Sequence, residues 1–415
     1  MHYFSFKKNN LYCENLKIKD LLDKFGTPLY VYSGRTILEH FFKLRDAFAK
    51  LEPLICYSVK ANSNLSILKL LTSSGAGLDI VSGGELYRAK KLKCSPKKIV
   101  YASVGKTDKE IKDAIDYGIL MFNVESVPEL GRIAKIARKL KKRVSVALRL
   151  NPDVESGTHA YITTGKGETK FGMDTKTVKG IFLRRASLPY LKIEGLHMHI
   201  GSQITKLDPF IKALKKAKKL ISELKSKGVK LKYLNIGGGL GIIYEKEKPQ
   251  TAKEFASGIL PLLCDLDLKI ILEPGRFIVG NAGILAAKVI YIKETPKKKF
   301  VIVDAAMNDL ARPSLYEAYH KIVSIEKPRG KKSKKLADVV GPICESGDFL
   351  GKERRLDIKE GQAIAVLGAG AYGFSMSSNY NSRPRVAEVL VKNNKAYLIR
   401  KREDYNDLIK KEIII

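Results

Sequence analysis

Lys60 lies where an apolar segment, residues 54–59, meets a polar turn formed by Asn62, Ser63 and Asn64. The apolar segment predicts a buried strand, and the polar residues predict a loop. An ammonium group is costly to bury without a partner, and a partly desolvated lysine has a lowered pKa that makes its amine a usable nucleophile. In a chain with 76 Lys and Arg residues, however, Lys60 could equally be a surface lysine with a buried stem, so its interpretation depends on the neighbouring elements.

Apolar, strand-like segments alternate with segments of helical periodicity between residues 27 and 275. Helical periodicity is clear in 108–117, 127–140 and 209–227. Such alternation indicates a parallel sheet, and eight units over about 250 residues match a (β/α)8 TIM-like barrel. An open doubly wound sheet is the alternative. The predicted strands are 54–59, 78–81, 99–102, 121–124, 144–150, 193–199, 233–236 and 270–272.

The pattern changes after residue 280, where strands and turns replace most of the helical segments. Strand-like segments lie at 286–292, 300–303, 363–367, 386–391 and 395–399. The first 26 residues are also partly strand-like, and we assign them to the same unit because chain ends are often close in space. The sequence therefore predicts an α/β protein with a barrel at 27–280 and a β-rich domain formed by 1–26 and 281–415.

The residues at the carboxyl ends of the predicted strands could form an active site, because barrel enzymes place their sites there. Gly237-Gly238-Gly239 follows the seventh strand, and Glu273-Pro274-Gly275-Arg276 follows the eighth. Loops after these two strands commonly bind phosphate. A phosphate site opposite Lys60 indicates pyridoxal 5'-phosphate held as a Schiff base. Glu273 would then pair with the pyridine nitrogen and keep it protonated.

Two other motifs have competing interpretations. His197 and His199 point to the same face of a strand and could be metal ligands, but no third ligand with suitable spacing follows, so we predict no metal. His199 lies nearer the end of the strand and is the better candidate for the site. The segment 368–373 fits the dinucleotide fingerprint, but a poor helix start follows it and it lies outside the βα repeats, so we reject that interpretation.

Composition excludes several classes of protein. The net charge of +33 would be typical of a protein that binds nucleic acid, but the basic residues are spread along the chain and no nucleic-acid motif accompanies them. Five cysteines without paired spacing argue against disulfides and for a reducing compartment. No segment has the length of a membrane span, and the N-terminus lacks the apolar core of a signal peptide. We therefore expect a cytoplasmic protein that binds neither nucleic acid nor membranes.

Taken together, these motifs make the chain resemble the diaminopimelate decarboxylases, which belong to the alanine racemase/ornithine decarboxylase fold group of pyridoxal phosphate enzymes (fold type III). The resemblance extends over essentially the whole chain. The matching segments are 57–62, 170–174, 197–203, 237–241, 273–276, 312–316, 344–348 and 370–388.

The resemblance implies a role for each cofactor residue. Lys60 would carry the cofactor, and His199 would stack on its ring. Glu273 would pair with the pyridine nitrogen, and Tyr372 would contact both cofactor and substrate. The residues implied to hold the phosphate are Ser202, Gly238, Gly239, Gly275 and Arg276.

The resemblance also implies a substrate site shared between two subunits. Arg276, Arg312 and Tyr316 would bind substrate carboxylate. Cys344, as proton donor, and Glu345, as a partner for substrate ammonium, would enter the site from the second subunit of a homodimer. One residue departs from the family pattern, because Glu317 stands where we expect a small residue.

The reaction implied is decarboxylation of meso-2,6-diaminopimelate, an amino-acid substrate, to L-lysine and CO2 in the last step of lysine biosynthesis. Arg312 favours this substrate, because ornithine or lysine would leave the guanidinium without a carboxylate. The alternatives are a decarboxylase of another basic amino acid or of a carboxylated polyamine, and a non-catalytic homologue of a decarboxylase. An alanine racemase fits less well, because Glu273 favours a protonated pyridine.

Overall fold

The computed structural model describes residues 2–155, 165, 169–327 and 336–415. The chain begins with a small antiparallel sheet of β1 (Phe4–Lys7), β2 (Asn10–Cys13) and β3 (Leu16–Lys17), followed by helix α1 (Ile18–Phe25). β4 (Leu29–Ser33) and α2 (Gly34–Ala47) then lead into the barrel.

Eight parallel strands close into a barrel, which confirms the predicted fold and excludes the open sheet. The elements are β5 (Leu54–Ser58), α3 (Leu65–Ser73), β6 (Gly77–Ile80), α4 (Gly83–Lys91), β7 (Ile99–Tyr101), α5 (Asp108–Tyr117), β8 (Met121–Val124), α6 (Val127–Lys139), β9 (Val144–Arg149), α7 (Thr175–Leu183), β10 (Leu191–His197), α8 (Asp208–Ser226), β11 (Tyr233–Asn235), α9 (Ala252–Leu263), β12 (Lys269–Leu272) and α10 (Arg276–Val279). Each of the eight predicted strands overlaps an observed strand, and the ends differ by at most two residues.

The helices around the barrel follow directly from local sequence. α5 begins at a capping box, in which the side chains of Thr107 and Glu110 each accept a backbone N–H from the other residue, and ends at Gly118 in the left-handed conformation (φ 75°). α8 buries an apolar stripe with a spacing of three and four residues: Phe210, Ala213, Leu214, Ala217, Leu220, Ile221 and Leu224. Among the described residues, none of the helices combines the length and the apolar character needed to cross a membrane.

The second domain is built on a nine-stranded sheet, as the β-rich pattern predicts. Its elements after the barrel are β13 (Gly283–Glu294), β14 (Lys299–Val303), α11 (Arg312–Tyr316), β15 (Ile322–Ser324), β16 (Ala337–Val340), β17 (Phe349–Arg354), β18 (Ala363–Val366), β19 (Ala387–Lys392), β20 (Lys395–Arg400) and α12 (Tyr405–Ile409).

The pairing of β4 crosses the predicted domain boundary at residue 280. β4 lies inside the predicted barrel range of 27–280, but it pairs with β13 and β19, so that Val31 lies opposite both Ile284 and Val389. Its five residues are all buried, and neighbouring strands of the sheet pair with both of its edges. Leu11 and Ile18 from the N-terminal sheet and helix pack into the same apolar cluster as Val31.

Buried polar contacts join the second domain to the barrel near Lys60. Glu388 on β19 is fully buried and accepts hydrogen bonds from Tyr32 Oη at 2.8 Å, Asn64 Nδ2 at 2.9 Å and Arg400 Nε at 2.6 Å. Because Asn64 also caps α3 through its contact with the backbone N–H of Ser66, the second domain fixes the loop that follows β5.

Candidate active site

Lys60 lies in a turn between β5 and α3, at the carboxyl end of the first barrel strand. The carbonyl oxygen of Ala61 accepts the backbone N–H of Tyr372 at 2.8 Å and the hydroxyl of Ser375 at 3.2 Å, so the second domain supports this turn directly. Tyr372 holds a left-handed backbone conformation (φ 56°), which is uncommon for an aromatic residue and typical of functional sites.

A cavity of about 470 Å³ opens at the carboxyl end of the barrel and is bounded by the second domain. It brings together most of the residues that the sequence predicted for the site. Those that line it are Lys60, His199, Ser202, Gly239, Glu273, Gly275, Arg276, Arg312, Tyr316 and Tyr372. Gly238 lies behind this surface, and Cys344 and Glu345 lie elsewhere.

Two buried carboxylates, Asp79 and Glu273, interact electrostatically with the Lys60 amine. Burial lowers the pKa of Lys60, but its electrostatic interactions with Asp79, Tyr372 and Glu273 outweigh the effect of burial, so the pKa lies above its ordinary value. The expected lowering of the pKa is therefore wrong for the free amine, because these interactions favour its charged form more than burial disfavours it. Asp79 on β6 accepts the Ser58 hydroxyl at 2.6 Å, and its Oδ1 has no hydrogen-bond partner among the described residues. Burial raises the pKa of Asp79 well above its usual range.

Glu273 is held by polar side chains inside the barrel. Its Oε1 accepts Asn123 Nδ2 at 2.9 Å and Asn235 Nδ2 at 2.6 Å, and its Oε2 lies 3.3 Å from His197 Nε2. Burial by itself would raise the pKa of Glu273. The contact with His197 and the hydrogen bond from Asn235 lower the pKa by more than burial raises it, so the net pKa is below the ordinary value. Sequence reasoning missed both asparagines, although a fully buried Asn within an apolar strand is itself a signal.

His199 is a neutral imidazole at the edge of the glycine loop. Its Nδ1 accepts the backbone N–H of Gly238 at 3.1 Å, which leaves the proton on Nε2. Burial and the positive charges of Lys60 and Arg149 hold its pKa well below the usual range. Glycine is required at 238, because a Cβ atom there would lie 2.1 Å from the carbonyl oxygen of Glu273.

Arg276 and Arg312 present two buried guanidinium groups to the cavity. Arg276 donates to Ser202 Oγ at 3.0 Å and to Tyr244 Oη at 2.7 Å. Arg312 Nη1 lies 2.8 Å from His320 Nε2. Among the described residues, no carboxylate lies within 4.0 Å of either guanidinium. A buried charge needs a partner, so this side of the cavity is suited to an anionic ligand.

Comparison with known proteins identifies the family. The pyridoxal binding domain of the pyridoxal-dependent decarboxylases matches residues 34–280. The chain is 50% identical to the diaminopimelate decarboxylase of Aquifex aeolicus, over 100% of this chain and 98% of that protein. It is 46% identical to the enzyme of Vibrio cholerae, over 98% of each. The chain belongs to the diaminopimelate decarboxylase family.

Solved structures of this family have the same architecture. Diaminopimelate decarboxylase from Helicobacter pylori, crystallised with L-lysine, superposes with a TM-score of 0.91 at 43% identity, over 95% of this chain and 99% of that chain. The enzyme from M. jannaschi gives a TM-score of 0.94 at 40% identity, over 100% and 98%. The resemblance predicted from the sequence motifs is thereby confirmed.

The side chains of the cavity fit the pyridoxal phosphate cofactor of the family. Lys60 and the anionic Glu273 reach the same cavity, as the two ends of a bound pyridine aldehyde require. On another side, Gly239 leaves room that a side chain would fill, because a Cβ there would lie 2.5 Å from the carbonyl oxygen of Gly201. Ser202 and Arg276 flank this opening with donors for phosphate. In the described part of the chain, no three His, Cys, Asp or Glu side chains form a group that could hold a metal ion.

Cys344 and Glu345 lie on an exposed loop of the second domain, outside the cavity of their own chain. Side-chain hydrogen bonds hold this loop in place. The buried Asp348 accepts the backbone N–H groups of Ile343 at 2.8 Å and Met307 at 2.7 Å. The backbone N–H of Cys344 donates to Asn381 Oδ1 at 2.8 Å, and Glu345 accepts Tyr380 Oη at 2.7 Å.

Proposed function

We propose that the protein decarboxylates meso-2,6-diaminopimelate to L-lysine and CO2, with pyridoxal phosphate as cofactor. The observation that carries this function is a cavity with Lys60 and Glu273 on one side and two buried arginines without carboxylate partners on another. Diaminopimelate carries one amino-acid centre to be cleaved and a second one that is retained. A ligand with a carboxylate at the retained centre supplies the anion that Arg312 lacks.

The residues around the cofactor have distinct roles in this proposal. Lys60 would bind the aldehyde of the cofactor, and the neutral His199 would contact its ring. The ionised Glu273 would pair with the pyridine nitrogen. The phosphate is bound by Ser202, Gly239, Gly275 and Arg276, with Gly238 fixing the position of His199. When bound, the cofactor draws the electron pair of the breaking bond away from Cα.

The substrate is held by charged and aromatic side chains of both domains. Arg312 and Tyr316 bind the retained carboxylate, and Arg276 and Tyr372 contact the end that reacts. Loss of CO2 leaves an electron pair at Cα, and a thiol proton from Cys344 completes the C–H bond. Glu345 offers a carboxylate for the retained ammonium. Glu317 is exposed, so it adds little to the binding of substrate.

Cys344 and Glu345 require a second copy of the chain in this proposal, because the cavity of their own chain excludes them. We therefore propose a homodimer in which each subunit supplies the fixed loop around Cys344 to the site of its partner. We also propose the cytoplasm as its location. The absence of any disulfide among the five cysteines supports a reducing compartment.

The reaction is tested by incubating purified protein, reconstituted with pyridoxal phosphate, with meso-diaminopimelate, L-ornithine or L-lysine. We expect CO2 and L-lysine from diaminopimelate at a rate at least about a hundredfold above CO2 release from the other two. Lys60→Ala should lose the absorbance of lysine-bound cofactor and nearly all activity. The exposed Lys98→Ala is the matched control and should retain both. Faster turnover of ornithine or lysine would favour the alternative decarboxylases, and no CO2 from any of them would favour a non-catalytic homologue.

A further inference from the structure

His320 lies directly behind Arg312 and outside the lining of the cavity. The imidazole is fully buried. Its Nε2 lies 2.8 Å from Arg312 Nη1, and its Nδ1 lies 2.9 Å from the carbonyl oxygen of Leu367. His320 therefore connects the guanidinium to the backbone that follows β18.

The two contacts fix the tautomer of His320. The carbonyl of Leu367 can only accept, so Nδ1 carries the proton, and Nε2 presents a lone pair to the guanidinium, which can only donate. Burial and the positive charge of Arg312 lower the pKa of His320 to about 3. The imidazole is consequently neutral at every pH at which the enzyme would work.

Tyr244 contacts both His320 and Arg312. Its ring meets the His320 ring edge to face, with centroids 5.2 Å apart, and lies 4.6 Å from the Arg312 guanidinium carbon. Its hydroxyl accepts Arg276 Nη1 at 2.7 Å. Arg276 and Arg312 are thus held by neutral groups, and rotation of either guanidinium would break contacts with Tyr244.

A neutral acceptor has a specific advantage at this position. An Asp or Glu would also orient Arg312, but its charge would cancel that of the guanidinium and compete with a ligand carboxylate. We propose that His320 is a positioning residue that orients Arg312 without neutralising it, and so sets the preference for ligands with a carboxylate at the retained amino-acid centre. This inference rests on the proposed function and deepens it.

The test compares two ligands that differ only in that carboxylate. L-lysine, the product, retains it, and 1,5-diaminopentane lacks it. Both are measured as competitive inhibitors of diaminopimelate decarboxylation by the reconstituted enzyme. His320→Asn keeps a donor to Leu367 but is too short to reach Arg312, whereas His320→Gln places an amide oxygen near the position of Nε2.

We expect His320→Asn to raise the inhibition constant of L-lysine and the KM of diaminopimelate about tenfold, with the constant of diaminopentane unchanged. His320→Gln should recover most of the L-lysine affinity. If both inhibitors bound more weakly by the same factor, the substitution would have caused a general structural defect, and the inference would be overturned. An unchanged ratio of the two inhibition constants in His320→Asn would also overturn it. An inactive wild-type enzyme would instead overturn the proposed function, together with the inference that rests on it.

Discussion

Asn123 Nδ2 donates a hydrogen bond of 2.9 Å to Glu273 Oε1 near the carboxyl ends of barrel strands β8 and β12. The other amide atom, Oδ1, is buried and has no hydrogen-bond partner among the described residues. An amide that leaves one buried atom unpaired is costly, so its retention in an apolar strand indicates a functional role for the bond that it does make.

Replacing Asn123 with leucine tests that role. Asn123→Leu removes one donor to the ionised carboxylate while keeping the branched shape of the side chain, so we expect kcat to fall about tenfold with little change in KM. Steady-state kinetics with diaminopimelate measures this effect. Asn235→Leu should cost more, because Asn235 Oδ1 also accepts the backbone N–H of Gly237 at 2.9 Å. Wild-type kcat in Asn123→Leu would show that the bond does not support Glu273.

Arg312 should be essential for binding the carboxylate at the retained centre of diaminopimelate. Arg312→Leu leaves that carboxylate without a charged partner. We expect kcat/KM to fall at least roughly thirtyfold, which corresponds to a loss of about 2 kcal/mol of transition-state stabilisation. Arg312→Lys keeps the charge but loses the bidentate fork, so we expect an intermediate loss. Unchanged kcat/KM in Arg312→Leu would mean that another group binds the carboxylate.

Asp309 makes stability depend on pH. Burial raises its pKa to about 7, from an ordinary value of 3.8, so between these values the folded protein keeps a proton that the unfolded chain has released. Stability due to this group is therefore complete below about pH 4 and falls as pH rises toward 7. Asp309→Asn keeps an acceptor for the backbone N–H of Ala306 without the titration.

We expect Asp309→Asn to be more stable than the wild type by roughly 4 kcal/mol at pH 8 and nearly equal to it at pH 4, because a pKa shift from 3.8 to about 7 is fully expressed above pH 7. Denaturant unfolding of the two proteins at both pH values measures the difference. An equal stability gap at the two pH values would contradict the raised pKa.

The barrel and the residues at its strand ends could be predicted from sequence because both are local patterns. Strand-length apolar segments such as 121–124 and helices with clear caps such as α5 depend on nearby residues alone. The position of β4 could not be predicted in this way. Its apolar sequence fits either domain, and its pairing with β13 and β19 depends on residues more than two hundred positions away.

The supporting residues of the site were missed for a similar reason. Lys60 and Glu273 belong to recognisable motifs, but Tyr244 and His320 become relevant only when folding brings them beside a charge. The raised pKa of Lys60 depends on the fold in the same way, since burial alone predicts the opposite direction and only the positions of Asp79, Tyr372 and Glu273 reverse it.

The shared site is tested by mixing two inactive variants, Lys60→Ala and Cys344→Ala. In a mixed dimer, one of the two sites combines Lys60 from one subunit with Cys344 from the other. Free exchange of equal amounts gives heterodimers in about half of the dimers, so about a quarter of all sites should work. Cys264→Ala, which removes another exposed thiol, is the matched control and should stay active by itself. Demonstrated exchange of subunits without recovered activity would mean that each site is built within one chain, and the assignment of Cys344 to the partner's site would then be wrong.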